Sequence, residues 1–375
     1  MRIAILTQPL CNNYGGVLQN FALQTILRRL GHEVVTLNTT VSKVRYSKIR
    51  LLLSCCKRLI RKYIYKDPSI VYINPQRQHN KFIANSLEHK RFIDTYIHSM
   101  MVEKPMTSEF CKLYQFDAYV VGSDQVWRPR YNQYLQNFYL DFTANIDVKR
   151  IAYAASFGVD NWELEMQETE QIKMLAQQFD AISVREASGV DLCDKYLGVS
   201  AKWVLDPTML LEAEDYLRLS KTAVKGKDHS LPYIGVYVLD INRRFVETME
   251  QLSAQIQMPI KYIGRMTPDA YPSIEEWLEG MSNAEYVVTD SFHGTVFSII
   301  FNKRFLSVGN IARGNARFES LLSMFGLQSR FVSLQEVGPT ALSANIDYDK
   351  VNEILLLNRM EAISFLEKNL NMLKV

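Results

Sequence analysis

One histidine sits where a proton could be moved on an anion. His293 lies in the segment Tyr286–Ile300, YVVTDSFHGTVFSII. The apolar run Tyr286-Val287-Val288 gives way there to Thr289-Asp290-Ser291. Beyond His293, Gly294 and Thr295, a second apolar run starts at Val296. This is the pattern of a buried parallel strand, a tight turn and the first turn of a helix. A helix N-terminus presents unpaired N–H groups and a positive partial charge, so anions dock there. The hydroxyls of Ser291 and Thr295 add polarity. The plainer alternative is a structural imidazole, and Asp290 either orients the ring or caps the helix.

Three further loops follow apolar runs. The first is Gln8–Gly16, continued by Val17-Leu18-Gln19. Gly15 and Gly16 let backbone approach a ligand closely, and Asn12, Asn13 and Gln19 offer amide groups suited to sugar hydroxyls. Tyr14 sits in the same loop. The segment is neither GxGxxG nor a Walker loop, so nucleotide phosphate binding is not signalled. The second loop, Gly122–Trp127, carries Ser123, Asp124 and Trp127. Asp124 is a polar site residue or a cap, and Trp127 is a stacking platform or core. The third holds Arg185-Glu186, where the guanidinium either pairs locally or forks onto a carboxylate or phosphate. Lys303, Arg304, Arg313 and Arg317 gather downstream.

The elements that must carry these loops alternate along the chain. Strands are expected at Arg2–Thr7, Glu33–Asn38, Ala118–Val121, Arg150–Ala154, Ala181–Val184 and Ala201–Val204. Helices are expected at Val17–Leu30, stopped by Gly31, and at Asn161–Phe179 and Val190–Leu197. The alternation resumes with strand Tyr233–Leu239, helix Arg243–Gln255, strand Ile260–Ile263 and helix Ser273–Met281, whose Ser273 and Glu276 have capping-box spacing. Strand Tyr286–Thr289, helix His293–Phe301 and strand Phe305–Val308 follow. Two series of βα units predict an α/β protein of two Rossmann-like lobes with parallel sheets and a ligand cleft between them. The expected boundary is at Asp206-Pro207, giving lobes 1–205 and 206–375.

Residues 40–116 interrupt the first series. From Val41 to Lys66 there are nine Lys or Arg and no acid. Ile49, Leu52, Leu53, Cys56, Leu59, Ile60 and Tyr63 fall at helical spacing. This basic amphipathic helix, within 42–66, either packs its apolar stripe on the lobe or contacts anionic lipid.

Composition bounds the rest. A chain of 375 residues with 47% hydrophobic content is globular and long enough for two domains. A net charge of +3 offers no broad basic face for nucleic acid. The five cysteines form no C-x-x-C pair, so neither a disulfide framework nor a zinc site is expected; Cys11, in the first loop, stands apart. The apolar part of MRIAILTQPL is too short for a signal peptide, and no apolar run is long enough to span a bilayer. These features predict a cytoplasmic protein.

Together, NNYGGVLQNFALQ, VVGSDQVW, RIAYAASFG, ISVREASG, VLDPTMLL and TDSFHGTVFSIIFNKRF resemble the polysaccharide pyruvyl transferase family, over almost the whole chain. The resemblance implies a GT-B-like fold. It also implies transfer of pyruvate from phosphoenolpyruvate to two sugar hydroxyls, with a cyclic ketal and phosphate as products. The family histidine falls on His293 and its mid-chain arginine on Arg185. Many members carry an arginine where this chain has Ser291, and Arg265 or Arg317 is the expected replacement. On this reading phosphoenolpyruvate is held on the side of the C-terminal lobe by Ser291, Gly294, Thr295, Arg265 and Arg317, with Arg185 reaching it from the N-terminal lobe. The N-terminal lobe holds the acceptor through Asn12, Asn13, Tyr14, Gly15, Gly16, Gln19, Ser123, Asp124 and Trp127. The scheme needs phosphoenolpyruvate as co-substrate but no cofactor and no metal. The acceptor is expected to be a cell-surface polysaccharide or, as the cytosolic cues favour, its lipid-linked precursor at the inner face of the membrane. A nucleotide-sugar glycosyltransferase and a non-catalytic saccharide binder are the competing readings.

Overall fold

The computed structural model describes residues 1–39, 47–65, 73–77, 87–103, 105–223, 231–264, 272–309 and 315–371. Two parallel sheets form from the short apolar runs. The first contains β1 (Arg2–Leu6), β2 (Glu33–Thr39), β3 (Ser99–Val102), β4 (Ala118–Val121), β5 (Lys149–Ala155), β6 (Ala181–Val184) and β7 (Lys202–Trp203), in the order β3-β2-β1-β4-β5-β6-β7. The second contains β8 (Ile234–Tyr237), β9 (Ile260–Tyr262), β10 (Tyr286–Thr289), β11 (Arg304–Val308) and β12 (Phe331–Val332), in the order β12-β11-β10-β8-β9. All residues of β4 and β8 are buried, as strands covered by helices on both faces must be.

Sheet order fixes where loops can meet. In the first sheet β1 has β2 on one side and β4 on the other, so the chain reverses direction of travel between β1 and β4. In the second, β8 lies between β9 and β10, and the reversal falls between β8 and β10. Helices leave such a pair on opposite faces and open a crevice beyond the strand C-terminal ends. The first loop follows β1, Ser123-Asp124 follows β4, and His293 follows β10.

The lobes share one apolar cluster that runs from Ile3 and Val17 through Trp277 to Phe297. Tyr14, from the first lobe, stacks on Trp277 with 5.4 Å between ring centroids and donates its hydroxyl to the Pro272 carbonyl at 2.7 Å. Arg29 forks onto Asp215 at 2.7 and 3.1 Å. The last helix, Tyr348–Asn371, reaches across the junction: Glu361 pairs with Lys202 at 3.0 Å, and Phe365 lies 6.4 Å from the Tyr153 ring, centroid to centroid.

Several boundaries differ from expectation. The first helix is Tyr14–Arg29, ended at Gly31 with φ 86°, so Tyr14, Gly15 and Gly16 form its first turn and are not loop. The helix expected over Asn161–Phe179 is Met166–Ala176; the Glu165 N–H is accepted by Glu168, which sets the start there. Ala187–Leu192 is α-helical and continues as a π turn, Cys193–Leu197. Ser273 and Glu276 form the expected capping box. The basic helix is Lys48–Tyr63, and none of its residues is buried, so its apolar stripe does not pack on the lobe. Positions 42–46 and 66 of the expected span lie outside the described residues. Among the described residues, no helix is long and apolar enough to cross a membrane, and no group of His, Cys, Asp or Glu could hold a metal ion.

Candidate active site between the lobes

Ser291 opens the helix Phe292–Ile300, its Oγ accepting the Gly294 N–H at 3.4 Å. His293 is therefore in the first turn, aimed at the other lobe. Its ring lies against Gly15: a Cβ on that glycine would stand 2.0 Å from Nδ1. On its other nitrogen, Nε2 is 3.6 Å from Oδ2 of Asp206. The imidazole is 6% exposed, yet its surroundings are charged groups rather than hydrocarbon alone.

Asp206 is the hub of those charges. It is fully buried, and its Oδ2 accepts from Nη1 of Arg185 at 2.8 Å. Its Oδ1 accepts from the Thr208 N–H and hydroxyl at 3.0 and 2.6 Å. Burial alone would raise its pKa, but His293, Arg185 and Thr208 more than offset that and hold it well below the usual carboxylate range.

Arg185 leaves the end of β6 with its side chain 1% exposed. Besides Asp206 it reaches Asp124 Oδ1 at 3.5 Å and lies 3.8 Å from Glu186 Oε1. Burial works against its charge, and the three carboxylates overcome this and raise its pKa. Its guanidinium carbon sits 4.5 Å above the Phe292 ring. Arg317, from the second lobe, lies 5.6 Å from the same ring centroid. Burial and the nearby Arg185 lower the pKa of Arg317 to about 10. Two buried guanidiniums from opposite lobes thus share one aromatic ring beside the imidazole. Glu186 bonds through Oε1 to the Ser156 hydroxyl, and burial raises its pKa against the pull of Arg185 and Ser156. Arg185 Nε, Glu186 Oε2 and His293 Nε2 are buried without a hydrogen-bond partner. Two of these atoms face carboxylates just beyond hydrogen-bond distance, Arg185 Nε toward Glu186 at 3.8 Å and His293 Nε2 toward Asp206 at 3.6 Å.

A cavity of about 420 Å³ lies between the lobes, and His293, Asp206, Arg185 and Arg317 are not among the residues that line it. It is lined by Asp160, Ala187 and Ser188 from the first lobe and by Ala316, Glu319, Ser320 and Gln328 from the second. Ala187 follows Glu186, and Ala316 precedes Arg317.

The other expected residues divide into those at the site and those spent on structure. Asp124 is buried at it, beside Arg185, and adopts φ 71°, a left-handed conformation that aspartate tolerates; Asn12 is buried in the loop after β1. Asn13 precedes the first helix and is exposed. Gly16 is buried in that helix, beside Asn13. Gln19 is not an acceptor ligand: its amide joins Thr7, the Gly16 carbonyl and the Ser123 N–H. Ser123 gives its hydroxyl to the Ala154 carbonyl. Trp127 is not a stacking platform. The chain turns its indole inward, 1% exposed, to stack on Tyr139 at 4.8 Å and donate Nε1–H to the Phe138 carbonyl. Tyr14 is an interlobe contact. Thr295 bonds Ser307 at 2.6 Å and is sealed, and Gly294 is packed so tightly that a Cβ would stand 2.1 Å from Thr289 Oγ1. Asp290 accepts the N–H groups of Leu239 and Asp240 at 2.6 and 3.1 Å, bracing the loop after β8. The carboxylate facing the imidazole is Asp206. Arg265 and Arg313 lie outside the described residues. At Cys11, burial pushes the thiol pKa up, which keeps it protonated.

Asp206 and Phe292 were not foreseen as site residues. Asp206 did carry a signal: a polar residue directly after the apolar Val204-Leu205, as at the other strand ends.

A family model described as polysaccharide pyruvyl transferase matches residues 13–311 of the 375. The chain belongs to that family. The match spans His293, Asp206, Arg185 and Asp124, and stops short of Arg317. No curated protein matches this transferase-family chain. Among solved structures, it is similar to the S. aureus MnaA–UDP co-structure, at 9% identity over 99% of this chain and 97% of the other, with a TM-score of 0.55. It is also similar to UDP-GlcNAc 2-epimerase from Neisseria meningitidis bound to UDP-GlcNAc, at 8% identity over 100% and 95%, with a TM-score of 0.52. At that identity the likeness establishes the fold: two Rossmann-like lobes in a GT-B-like arrangement.

Proposed function

We propose that this family member transfers pyruvate from phosphoenolpyruvate to two hydroxyls of a saccharide, forming a cyclic ketal and releasing phosphate. The observation that carries the reading is the pair Arg185 and Arg317. They come from opposite lobes, are both buried, and sit over one Phe292 ring beside His293. Two guanidiniums converging beside a group able to move a proton suit an anion with more than one acidic group, in competition with the carboxylates that now face Arg185. Phosphoenolpyruvate offers a carboxylate and a phosphate.

In this scheme His293 delivers a proton to the methylene carbon, which becomes a methyl group, and the central carbon becomes oxocarbenium-like. A sugar hydroxyl bonds to that carbon and gives up its proton to the imidazole. The bond from the central carbon to the phosphate oxygen then breaks. A second hydroxyl closes the ring, and its proton leaves with the phosphate. Asp206 holds the ring in place and balances the charge it gains on protonation, as a carboxylate does behind a catalytic histidine. The interlobe cavity has the volume of a small-molecule site and is assigned to the saccharide. The test is phosphate release from phosphoenolpyruvate on adding a saccharide acceptor, with the product weighed by mass spectrometry. Acceptor-dependent release and a ketal-bearing product are expected from the parent and not from His293→Ala. Equal turnover by a folded His293→Ala variant removes the assignment.

A further inference from the structure

The helix Lys48–Tyr63 stands apart from the catalytic machinery and is built inside out. Ile49, Leu52, Leu53, Leu59, Ile60 and Tyr63 recur on one side of it, and all are exposed, Ile49 at 74% and Leu53 at 64%. The half-buried positions, Leu51, Ser54, Cys55, Arg58 and Lys62, lie on the other side. A surface helix of a globular protein turns its apolar stripe inward. This one turns it outward, with Lys48, Arg50, Lys57 and Arg61 flanking it and no acid between Ser47 and Tyr65.

We propose that this helix lies in the headgroup layer of an anionic membrane, its apolar stripe immersed and its cations against lipid phosphates. An all-cationic helix with an open apolar stripe complements such a surface in both respects. A second copy of the same face would bring like charges together. Tyr63 and Tyr65, exposed at its C-terminal end, suit the membrane–water boundary. The placement also orients the molecule. β2 ends at Thr39, at the sheet end from which the site loops depart. The eight residue steps from there to Ser47 keep the helix start within roughly 28 Å of that end. A bilayer met by the helix on that side of the lobe would present a lipid-linked saccharide to the cleft. That last step rests on the saccharide reading above; the membrane contact does not.

The test is co-sedimentation of the full chain with vesicles of phosphatidylcholine alone and with phosphatidylglycerol added. Pelleting is expected with the anionic vesicles only, and less of it at high salt. Ile49→Asp/Leu53→Asp/Ile60→Asp and Lys48→Gln/Arg50→Gln/Lys57→Gln should each weaken partitioning, the second by roughly a hundredfold. All six positions are exposed, so circular dichroism melts should match the parent. Phosphate release with a water-soluble acceptor should also be unchanged, which keeps this outcome separate from the catalytic one. A parent that stays in the supernatant with anionic vesicles overturns the proposal. So does pelleting undiminished in both variants. A dimer that the aspartates make monomeric, with no vesicle binding by the parent, would show the face to be a self-association surface and would equally overturn it.

Discussion

A Cβ on Gly15 would lie 2.0 Å from Nδ1 of His293, so the first turn of the first helix in one lobe is in direct contact with the imidazole carried by the other. The glycine is needed for this close approach and not for an unusual φ. Gly15→Ala should therefore displace the ring rather than unfold the chain. A displaced general acid costs on the order of a hundredfold in kcat, while overpacking of this kind costs about 1–3 kcal/mol of stability. Steady-state kinetics beside a thermal melt checks both.

Asp206 has its own signature. Its folded pKa is depressed, so its contribution to stability is present above its unfolded pKa of about 4 and is lost as pH falls through the folded value. The unfolded chain binds more protons in that window, so stability falls with acidification. Melting temperature should drop below about pH 4 in the parent, and Asp206→Asn should lessen that slope. At neutral pH the same substitution removes the closest of the three carboxylates around the buried Arg185. A cost of about 3–5 kcal/mol is expected by denaturant unfolding.

Arg317 should behave the opposite way. Burial and Arg185 disfavour its charge, so below pH 10 it costs the empty protein stability. Arg317→Met should leave the melting temperature of the unliganded protein unchanged or higher. Loss of a charge-assisted bond to phosphoenolpyruvate should raise KM for that substrate about tenfold or more. A destabilised variant with unchanged KM would show Arg317 to be structural.

Trp127 separates core from site. With its indole buried against Tyr139, Trp127→Ala should cost about 3–5 kcal/mol. KM for the saccharide should not change at temperatures where the variant is folded. Chemical denaturation and acceptor kinetics measure the two separately.

The strands, the βα order and the polar residues at strand ends were legible because burial on both faces leaves unbroken apolar runs, and a loop interrupts them. His293, Arg185 and Asp124 could be picked out in that way. Which strand ends converge could not, because it depends on β4 pairing with β1 and β10 with β8. Asp206 was therefore read as a boundary, since Asp-Pro-Thr looks like punctuation between domains. The direction of a side chain within a loop was equally hidden. Asp124 takes φ 71°, and a few residues later Trp127 faces the core; spacing alone gives no sign of either. Gln19 was misread for a related reason: Tyr14–Arg29 starts before its glycines, which places Gln19 inside the lobe.

Ligand-dependent melting of the purified chain tests most directly whether the paired guanidiniums hold phosphoenolpyruvate. Saturating phosphoenolpyruvate should raise the melting temperature, by an amount reflecting about 2.7 kcal/mol at a hundred times Kd. The rise should vanish in Arg317→Met, and uridine diphosphate should produce none. Stabilisation by uridine diphosphate with no response to phosphoenolpyruvate would contradict the proposed donor and turn the site toward nucleotide-sugar chemistry.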